Sequence, residues 1–276
     1  MPTNPPHLRP PELPLHETLH AYADVKKARG EPTFCVQVGA NDGKTNDPVH
    51  RYLTGYGWRG LLVEPLVDVF EQELKKTYAG FPNVTLANVA LAPTNGSLPL
   101  YRVAISRARW ATGLSGFRRD NLENHIANGY IEKKAKAEGV AMPSAPNDVI
   151  EVVRVPTKTV ATLLTEHKVD RFDVLCIDTE GFDFEVLKLF DFKAQRPEFV
   201  LFESKNLADD DYVAAKKMLA DAGYRLFWNN GDTFAVRLGT PGETASDKVR
   251  SPVRSVIRQA RGFARKVKRL LLSGRR

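Results

Sequence analysis

Short apolar runs alternate along this chain with segments that have the spacing of amphipathic helices. This alternation is typical of a parallel sheet with helices on both faces, because a crossover between parallel strands needs about a dozen residues. The last two runs are joined only by Asn230-Gly231, and so short a turn connects antiparallel strands. The sequence therefore predicts a doubly wound α/β sheet that is mostly parallel and ends in a C-terminal antiparallel hairpin. The runs are TFCVQV, WRGLLVE, NVTLANVAL, FDVLCID, EFVLFES, YRLFWN and DTFAVRL.

The apolar runs also indicate the domain organisation. Residues 1–14 contain six prolines and few apolar residues, so we expect a disordered, proline-rich lead-in. Apolar residues at helical spacing from Leu15 to Val25 then predict a first helix that ends near Gly30. All the runs lie within residues 15–240, which we predict to form one domain.

The alternation fails between residues 105 and 148. This segment is polar and of mixed charge, and only residues 121–137 have a helical pattern. Long insertions in compact α/β domains often face the substrate, because the sheet is complete without them. We interpret the segment as a lid-like insertion that faces the substrate.

The excess of positive charge lies in the C-terminal tail. The chain has 40 Lys+Arg and 33 Asp+Glu and a net charge of +7. Residues 248–276 hold eleven basic residues and no acidic one, so residues 1–247 sum to −4. Residues 241–276 therefore read as a linker and a basic amphipathic helix, and residues 250–272 are predicted to contact an anionic membrane surface. A solvated or packed appendage and a protein or nucleic-acid partner are the alternatives.

Cysteine usage and the N-terminus suggest the compartment. Cys35 and Cys176 lie inside apolar runs, as expected of buried thiols in a reducing environment. The N-terminus lacks the apolar stretch of a secretory leader, and no run approaches the roughly 18 apolar residues of a membrane span. We expect a cytoplasmic protein, peripheral at the inner face of the membrane.

Candidate binding residues follow the runs, at the end of the sheet where open parallel sheets bind ligands. The first run leads into the turn Gly39-Ala40-Asn41-Asp42-Gly43, and Glu64 ends the second run, where a carboxylate can accept hydrogen bonds from two ribose hydroxyls. The turn lacks the G-x-G-x-x-G spacing of dinucleotide sites, and Asp42 would repel phosphate. S-adenosylmethionine fits better, since it is a positively charged adenosine without phosphate. The acidic residues after later runs agree with that charge: Asp178, Glu180, Asp183 and Glu203.

Six motifs in order carry a resemblance to a known family. They are FCVQVGANDGKTNDP, GWRGLLVEP, NVTLANVALAPTNGSLPLY, TGLSGF, LCIDTEGFDFEVLKL and GDTFAVR. Together they resemble the FkbM family of S-adenosylmethionine-dependent methyltransferases over about residues 34–237. The resemblance implies a class I methyltransferase (Rossmann-like) fold. It also implies O-methylation of a hydroxyl on a sugar, a glycan precursor or a secreted small molecule.

The resemblance further implies roles for individual residues. Those of the cofactor site are Gly39, Ala40, Asn41, Asp42 and Gly43 in the loop, Glu64 at the ribose, and Asn88 and Ala90 at the adenine. Asp178 and Glu180 would lie at the methyl-transfer centre. The chain departs from the family at Gln37, where many members have an acidic residue, which weakens the expected grip on the amino acid end of the cofactor. It departs again at Thr159-Val160-Ala161, where the family often has Thr-Leu-Asp.

Methyl transfer to a hydroxyl benefits from a general base. Asp178 is the first candidate because its place at a strand end fixes it beside the cofactor, Glu180 is the second, and His125 in the insertion is the third. Oxygen atoms of Asp178, Glu203 and Asn206 could instead hold Mg²⁺. The sequence shows no His or Cys cluster for a transition metal, and we expect no required metal.

Two other function classes compete with the enzyme. A catalytically weak or inactive scaffold with the methyltransferase fold would be tethered through the basic tail, and Gln37 favours it, whereas the intact Asp178-Thr179-Glu180-Gly181 and Glu64 argue against it. A nucleic-acid methyltransferase would use the tail to bind its substrate. Its Asn/Asp-Pro-Pro-aromatic motif is missing after the fourth strand, however, and the body of the chain is acidic. We therefore expect an enzyme with a small-molecule or glycan acceptor and without a nucleic-acid partner.

Overall fold

The computed structural model describes residues 4–237 and residue 262. Within this part of the chain the strands form a large sheet and a small one. The strands of the large sheet are β1 (Phe34–Val38), β2 (Arg59–Val63), β3 (Val84–Ala87), β7 (Val174–Ile177), β8 (Phe199–Glu203), β9 (Tyr224–Asn229) and β10 (Asp232–Arg237). Those of the small sheet are β4 (Ala90–Leu91), β5 (Gly96–Val103) and β6 (Ile150–Lys158).

The large sheet has the strand order β3-β2-β1-β7-β8-β10-β9. The first five strands are parallel to their neighbours, and β10 is antiparallel to both β8 and β9. Asn230 and Gly231 in the hairpin turn have φ angles of 48° and 100°, the left-handed values that a two-residue turn between twisted strands needs. The predicted doubly wound sheet with a C-terminal antiparallel hairpin is confirmed.

Ten α-helices lie in the described part of the chain, and they include those that cover the two faces of this sheet. They are α1 (Leu15–Ala28), α2 (His50–Gly55), α3 (Val67–Val69), α4 (Lys75–Tyr78), α5 (Arg109–Thr112), α6 (Arg119–Ala127), α7 (Tyr130–Glu138), α8 (Val160–Glu166), α9 (Asp183–Leu187) and α10 (Asp209–Asp221). A π-helical turn, Phe70–Leu74, joins α3 to α4, and short 3₁₀ helices occupy Pro6–Leu8 and Pro146–Val149.

Two apolar cores lie on the two faces of the large sheet. One includes the buried free thiols of Cys35 and Cys176 and packs against α1 and α2. The other includes Val36 and Ile177 and packs against α8, α9 and α10. Successive residues of a strand point to opposite faces, so a strand that is buried on both faces needs an unbroken apolar run. This requirement explains why the strands of the large sheet were readable from the sequence.

The small sheet and the insertion differ from the sequence prediction. The third apolar run divides into β3 and β4, and β5 pairs along its whole length with β6, a hairpin that the apolar pattern did not indicate. The helix expected over residues 121–137 is two helices, α6 and α7. They are separated by Gly129, whose φ of 74° favours glycine.

Residues 4–14, for which the proline content predicts disorder, lie along the edge strand β9 in the structure. The Leu13 N–H donates to the Trp228 carbonyl, and the Trp228 N–H donates to the Pro11 carbonyl, both at 3.2 Å. The Arg9 guanidinium lies 4.3 Å from the centre of the Trp228 ring. The unpaired backbone of an edge strand offers these partners, and the lead-in shields that edge.

Among the described residues, no helix is long and apolar enough to cross a membrane. The predicted basic helix at residues 250–272 lies outside the described residues except for residue 262.

The packing of the lead-in predicts a large effect of Leu13→Ala. Leu13 is 2% exposed, and truncating a buried leucine costs about 2–5 kcal/mol of unfolding free energy. Leu98→Ala is the matched control, because Leu98 is 40% exposed and should change stability by less than about 0.5 kcal/mol. Urea unfolding of the two variants measures the difference. Equal midpoints would show that the lead-in does not pack on the domain.

Candidate functional site

Two adjoining cavities lie at the carboxyl ends of the parallel strands, and Gly39, Arg109 and Asp178 line both. The first cavity has a volume of about 650 Å³ including its mouth, and its polar and apolar walls include Asn41, Glu64, Ala90, Phe117, Thr179 and Glu180. The second cavity has a volume of about 620 Å³ including its mouth, and its walls include Gln37, Ala40, Asp47, Leu201, Glu203 and Asp232.

Gly39 brings the loop after β1 against the end of β7. Its φ is 83°, and a Cβ atom at this position would lie 1.8 Å from the backbone oxygen of Asp178. Only glycine can therefore occupy position 39 without separating the two strands. The close approach places the Asn41 loop and the Asp178 side chain around the same pair of cavities.

Asn41 and Glu64 join the ends of β1 and β2. Asn41 has a φ of 46°, and its N–H donates to Glu64 Oε2 at 2.9 Å. The Leu66 N–H donates to the other carboxylate oxygen, Oε1, at 2.8 Å. Burial raises the pKa of Glu64 to about 7 in spite of these two hydrogen bonds, which lower it. The structure thus keeps a carboxyl group in the wall of the first cavity, although the uncharged protein environment disfavours its charge.

Asp42 and Gly43 line neither of the two cavities. The Asp42 carboxylate accepts hydrogen bonds from the N–H of Lys44 at 3.1 Å and from the N–H of Thr45 at 2.9 Å, so it closes a local turn. Burial alone would raise the pKa of Asp42, but its hydrogen bonds with Thr45 and Lys44 and the nearby charge of Arg109 lower it overall. The structure gives Asp42 a role in shaping the loop, and Gly43 packs against Tyr78 and Leu74.

The two residues predicted at the adenine differ in position. Ala90 lines the first cavity, whereas Asn88 does not. The Asn88 amide donates to the backbone oxygens of Glu64 and Pro65 at 2.8 and 3.1 Å. Asn88 therefore fixes the loop that carries Glu64.

Three acidic side chains form a carboxylate cluster, which we define as Asp178, Glu180 and Glu203. One oxygen atom from each lies within 4.8 Å of the others, a spacing at which carboxylates could share a cation. Asp178 is accessible from both cavities, yet surrounding protein and the nearby charge of Glu203 raise its pKa to about 7. Burial, Glu203 and Asp178 raise the pKa of Glu180 well above its ordinary value. The cluster therefore holds more negative groups than its surroundings neutralise.

The polar neighbours of this cluster present donors to it. The Asn206 amide nitrogen lies 3.2 Å from Glu180 Oε2 and 2.7 Å from Glu203 Oε2, and the Lys205 ammonium forms an ion pair with Glu203 Oε1. Asn206 thus faces the cluster with its NH₂ group. This orientation does not suit the Mg²⁺ ligand that the sequence suggested, because a cation binds the amide oxygen and not the NH₂ group.

Asp183 supports the cluster from beneath and is fully buried. One of its oxygens accepts from the N–H of Thr179 at 3.4 Å and from that of Gly181 at 3.2 Å, and the other accepts from the N–H of Glu203 at 3.2 Å. Burial and the charges of Glu203 and Asp178 raise its pKa well above the ordinary value. Asp183 ties the loop after β7 to the end of β8.

The insertion covers the first cavity. Thr112 Oγ1 donates to Asn41 Oδ1 at 3.3 Å, and the Asn121 amide donates to the Glu180 carbonyl. His125 lines neither cavity, and burial lowers its pKa despite the opposing effect of Glu203. Residues of the insertion therefore line the first cavity, while the third base candidate, His125, lies outside the cavity walls.

Sequence reasoning gave no role to Arg109, Thr112 or Asp232, which line the cavities. Arg109 lies in the insertion, where polar residues have no periodicity that marks them as inward-facing, whereas Thr112 begins the TGLSGF motif, from which no role of a single residue was inferred. Asp232 opens β10 and pairs with Glu203 across the sheet. The signal for Asp232 was present, because an acidic residue at the start of an antiparallel strand lies at the same sheet edge as the ends of its parallel neighbours.

The charge of Asp232 predicts a stability change that depends on pH. Burial and Glu203 raise its pKa from an ordinary 3.8 to about 7, so ionisation destabilises the fold as pH rises from about 4 through 7. Asp232→Asn should match the wild type near pH 4 and gain about 2–4 °C in Tm at pH 8, as ~1 kcal/mol gives in a domain of this length. Thermal melts across this range measure it, with Asp221→Asn, 63% exposed, as control. A Tm difference that is constant with pH would contradict the assignment.

Solved structures with some similarity to this chain are methyltransferases. One is described as methyltransferase FkbM from Methylobacillus flagellatus KT, with 11% identity and a TM-score of 0.45, covering 74% of this chain and 43% of that one. Another is the N-terminal domain of human METTL16 in complex with SAH, with 10% identity and a TM-score of 0.36, covering 82% and 70%. The chain spans less than half the length of the first of these structures. A comparison with curated proteins gives no match.

A family model places the chain more firmly. The model described as the methyltransferase FkbM domain matches residues 37–226, more than two thirds of the chain. The match begins within β1, includes Glu64 and the carboxylate cluster, and ends in β9 before Asp232. The strand order and the antiparallel hairpin are those of the class I methyltransferase (Rossmann-like) sheet. The chain belongs to the FkbM methyltransferase domain family.

Proposed function

We propose that the protein is an S-adenosylmethionine-dependent O-methyltransferase that acts on a hydroxyl of a sugar, a glycan precursor or a secreted small molecule. The observation that carries this proposal is the Glu64 carboxylate. It is 4% exposed, lines the first cavity, and is held by two backbone N–H groups. Perturbed carboxyl groups of this kind in a cavity favour a functional role.

The first cavity suits an adenosine with a positive charge nearby. Each Glu64 oxygen accepts one backbone hydrogen bond and retains a lone pair, which the two ribose hydroxyls of a nucleoside can use. Asp178 and Glu180 line the same cavity and favour a cationic group such as a sulfonium. Apolar side chains for contact with adenine also line this cavity: Val63, Leu66, Val89, Ala90 and Leu91.

Asp178 is the residue that we assign as general base, with Glu180 as the second candidate. When bound, S-adenosylmethionine would supply an electrophilic methyl group, whose carbon could form a bond to the hydroxyl oxygen as S-adenosylhomocysteine leaves. Because Asp178 lines both cavities, its carboxylate can accept the proton of a hydroxyl held between them. A base whose pKa lies near 7 is matched to proton transfer at neutral pH. The contact of Gly39 with Asp178 holds this geometry, and alignment of this kind accounts for much of the rate in such displacements.

The second cavity suits a methyl-accepting substrate that is rich in hydrogen-bond donors. No side-chain hydrogen bond or ion pair within the described residues engages the carboxylates of Asp178 and Asp232. The Gln37 Oε1 atom is also buried and has no hydrogen-bond partner among the described residues. The amide nitrogen of the same side chain donates to Asp47 at 2.8 Å. These three hydrogen-bond acceptors without partners favour a substrate with several hydroxyl groups, such as a sugar.

The proposed cofactor site predicts the effect of Glu64→Ala on ligand affinity. Calorimetric titration of S-adenosylhomocysteine into the wild type should give saturable binding. The variant should bind roughly 10- to 100-fold more weakly, as the loss of hydrogen bonds to a buried charged acceptor costs about 1–3 kcal/mol. Glu71→Ala is the matched control, because Glu71 is 50% exposed on the neighbouring helical segment and pairs only with Lys75.

Each outcome of this titration has a distinct meaning. Equal affinity of the wild type and Glu64→Ala would remove Glu64 from the site. No binding to the folded wild type would favour the alternative, a scaffold with the methyltransferase fold in which Gln37 no longer supports the cofactor. Binding by the wild type that Glu71→Ala retains would justify a screen of sugar hydroxyls as acceptors.

We also propose that residues 250–272 bring the enzyme to an anionic membrane surface, where a lipid-linked acceptor would be available. This part of the chain lies outside the described residues except for residue 262, so the support is the sequence pattern of basic and apolar positions.

Flotation with liposomes tests the tail. The full chain should float with vesicles that contain anionic lipid, and a chain that ends at residue 247 should not, because each basic residue near the surface contributes about 1 kcal/mol. Vesicles of neutral lipid are the control. Equal flotation of the two chains would refute a membrane role for the tail.

A further inference from the structure

Lys205 lies two residues after Glu203, the last residue of β8, at the end of the large sheet where the two cavities lie. Its N–H donates to the Gly231 carbonyl at 2.8 Å, and the neighbouring Ser204 N–H donates to the same oxygen at 3.0 Å. A Cβ at Gly231 would lie 3.2 Å from Cδ of Lys205, so the aliphatic part of the lysine packs on the turn of the C-terminal hairpin. The backbone and the hairpin together direct the lysine toward the carboxylate cluster.

The ammonium group of Lys205 engages this cluster directly. It forms an ion pair with Oε1 of Glu203, while Oε2 of Glu203 accepts a hydrogen bond from Asn206 at 2.7 Å. Glu203 is 6% exposed, and groups of the chain itself contact both of its carboxylate oxygens. The positive charge of Lys205 also opposes the rise of the pKa values of Asp178 and Glu180.

A divalent cation and an ammonium group compete for such a cluster. Carboxylate oxygens bind Mg²⁺ or Ca²⁺ at about 2.0–2.6 Å, and each bond uses a lone pair. The three oxygens of the cluster lie within 4.8 Å of one another, which would admit a cation if Glu203 were free. Lys205 supplies a compact point charge with three donors on a flexible stem, and it already holds Glu203.

We propose that Lys205 is the resident cation of the carboxylate cluster and takes the place of a divalent metal ion. In this role it is a positioning residue, because it holds Glu203 beside Asp178 and Glu180 without touching either cavity. Its consequence for methyl transfer rests on the proposed function: the base Asp178 works beside a fixed ammonium group and needs no metal. The occupancy of the cluster by Lys205 does not depend on that function.

Binding of Mn²⁺ to the full-length protein tests the proposal, with free Mn²⁺ measured by electron paramagnetic resonance. The wild type and Lys205→Arg should show no saturable Mn²⁺ site. Lys205→Met should gain one, with an affinity at least about tenfold above any weak binding by the wild type, because one positive charge has been removed. The double variant Lys205→Met/Glu203→Gln should lose the gained site. Lys217→Met is the surface control, since Lys217 is 74% exposed.

Thermal melts give a second readout that a merely structural lysine would not produce. Lys205→Met should have a lower Tm than the wild type, and Mn²⁺ should raise the Tm of the variant and not that of the wild type or Lys205→Arg. If Lys205→Met folds only with Mn²⁺, the proposal is supported. A wild-type Mn²⁺ site that Glu203→Gln abolishes, or a Lys205→Met variant without Mn²⁺ binding, would overturn it.

Failure of this proposal differs from failure of the proposed function. Excess EDTA should leave the affinity of the wild type for S-adenosylhomocysteine unchanged if both hold. Absent binding of S-adenosylhomocysteine with the expected Mn²⁺ results would reject the cofactor site and keep Lys205 as the resident cation.

Discussion

The site depends on one backbone contact, between Gly39 and the carbonyl oxygen of Asp178. β1 lies where the strand order reverses, with β2 on one side and β7 on the other, and the loops that follow β1 and β7 separate there to form a crevice. Because a Cβ at position 39 would lie 1.8 Å from the Asp178 oxygen, glycine alone permits the strands to end this close together. Both cavities share this contact as a wall, so the sheet itself fixes the first cavity relative to the second.

The negative charge around this contact is retained at a cost to stability. Glu64, Asp178 and Asp232 each have a pKa raised to about 7, chiefly by burial. A fold selected for stability alone would fill such positions with apolar or uncharged residues, so the arrangement favours a ligand that interacts with acidic groups. The chain reduces the cost locally, with backbone N–H groups at Glu64 and the ammonium group of Lys205 at Glu203.

The sequence predicts the large sheet well because its central strands β1, β2, β7 and β8 are buried on both faces. The same reasoning fails for β5 and β6, which alternate polar and apolar residues and pair at the surface, and for residues 4–14, whose packing depends on the open edge of β9. Within the site, motif order identifies Glu64 and Asp178 as cavity residues. It does not separate Asp42, which closes a turn through local hydrogen bonds, from residues that line the two cavities of the site. The sequence did not indicate that Arg109 lines the cavities, because its position depends on how the insertion folds over the sheet.

The insertion itself is a packed element rather than a loose loop. Ala111, Leu122 and Ile131 of the insertion form a small apolar core together with Val103 at the end of β5, although the segment is polar along most of its sequence. That core fixes α5 and α6, and with them the side chains that reach the loops after β1 and β7. The second cavity takes its walls from the sheet, from α1 and from the loop between β1 and α2, and the insertion contributes only Arg109 to it. The insertion therefore shapes the first cavity far more than the second, because six of its residues line the first one.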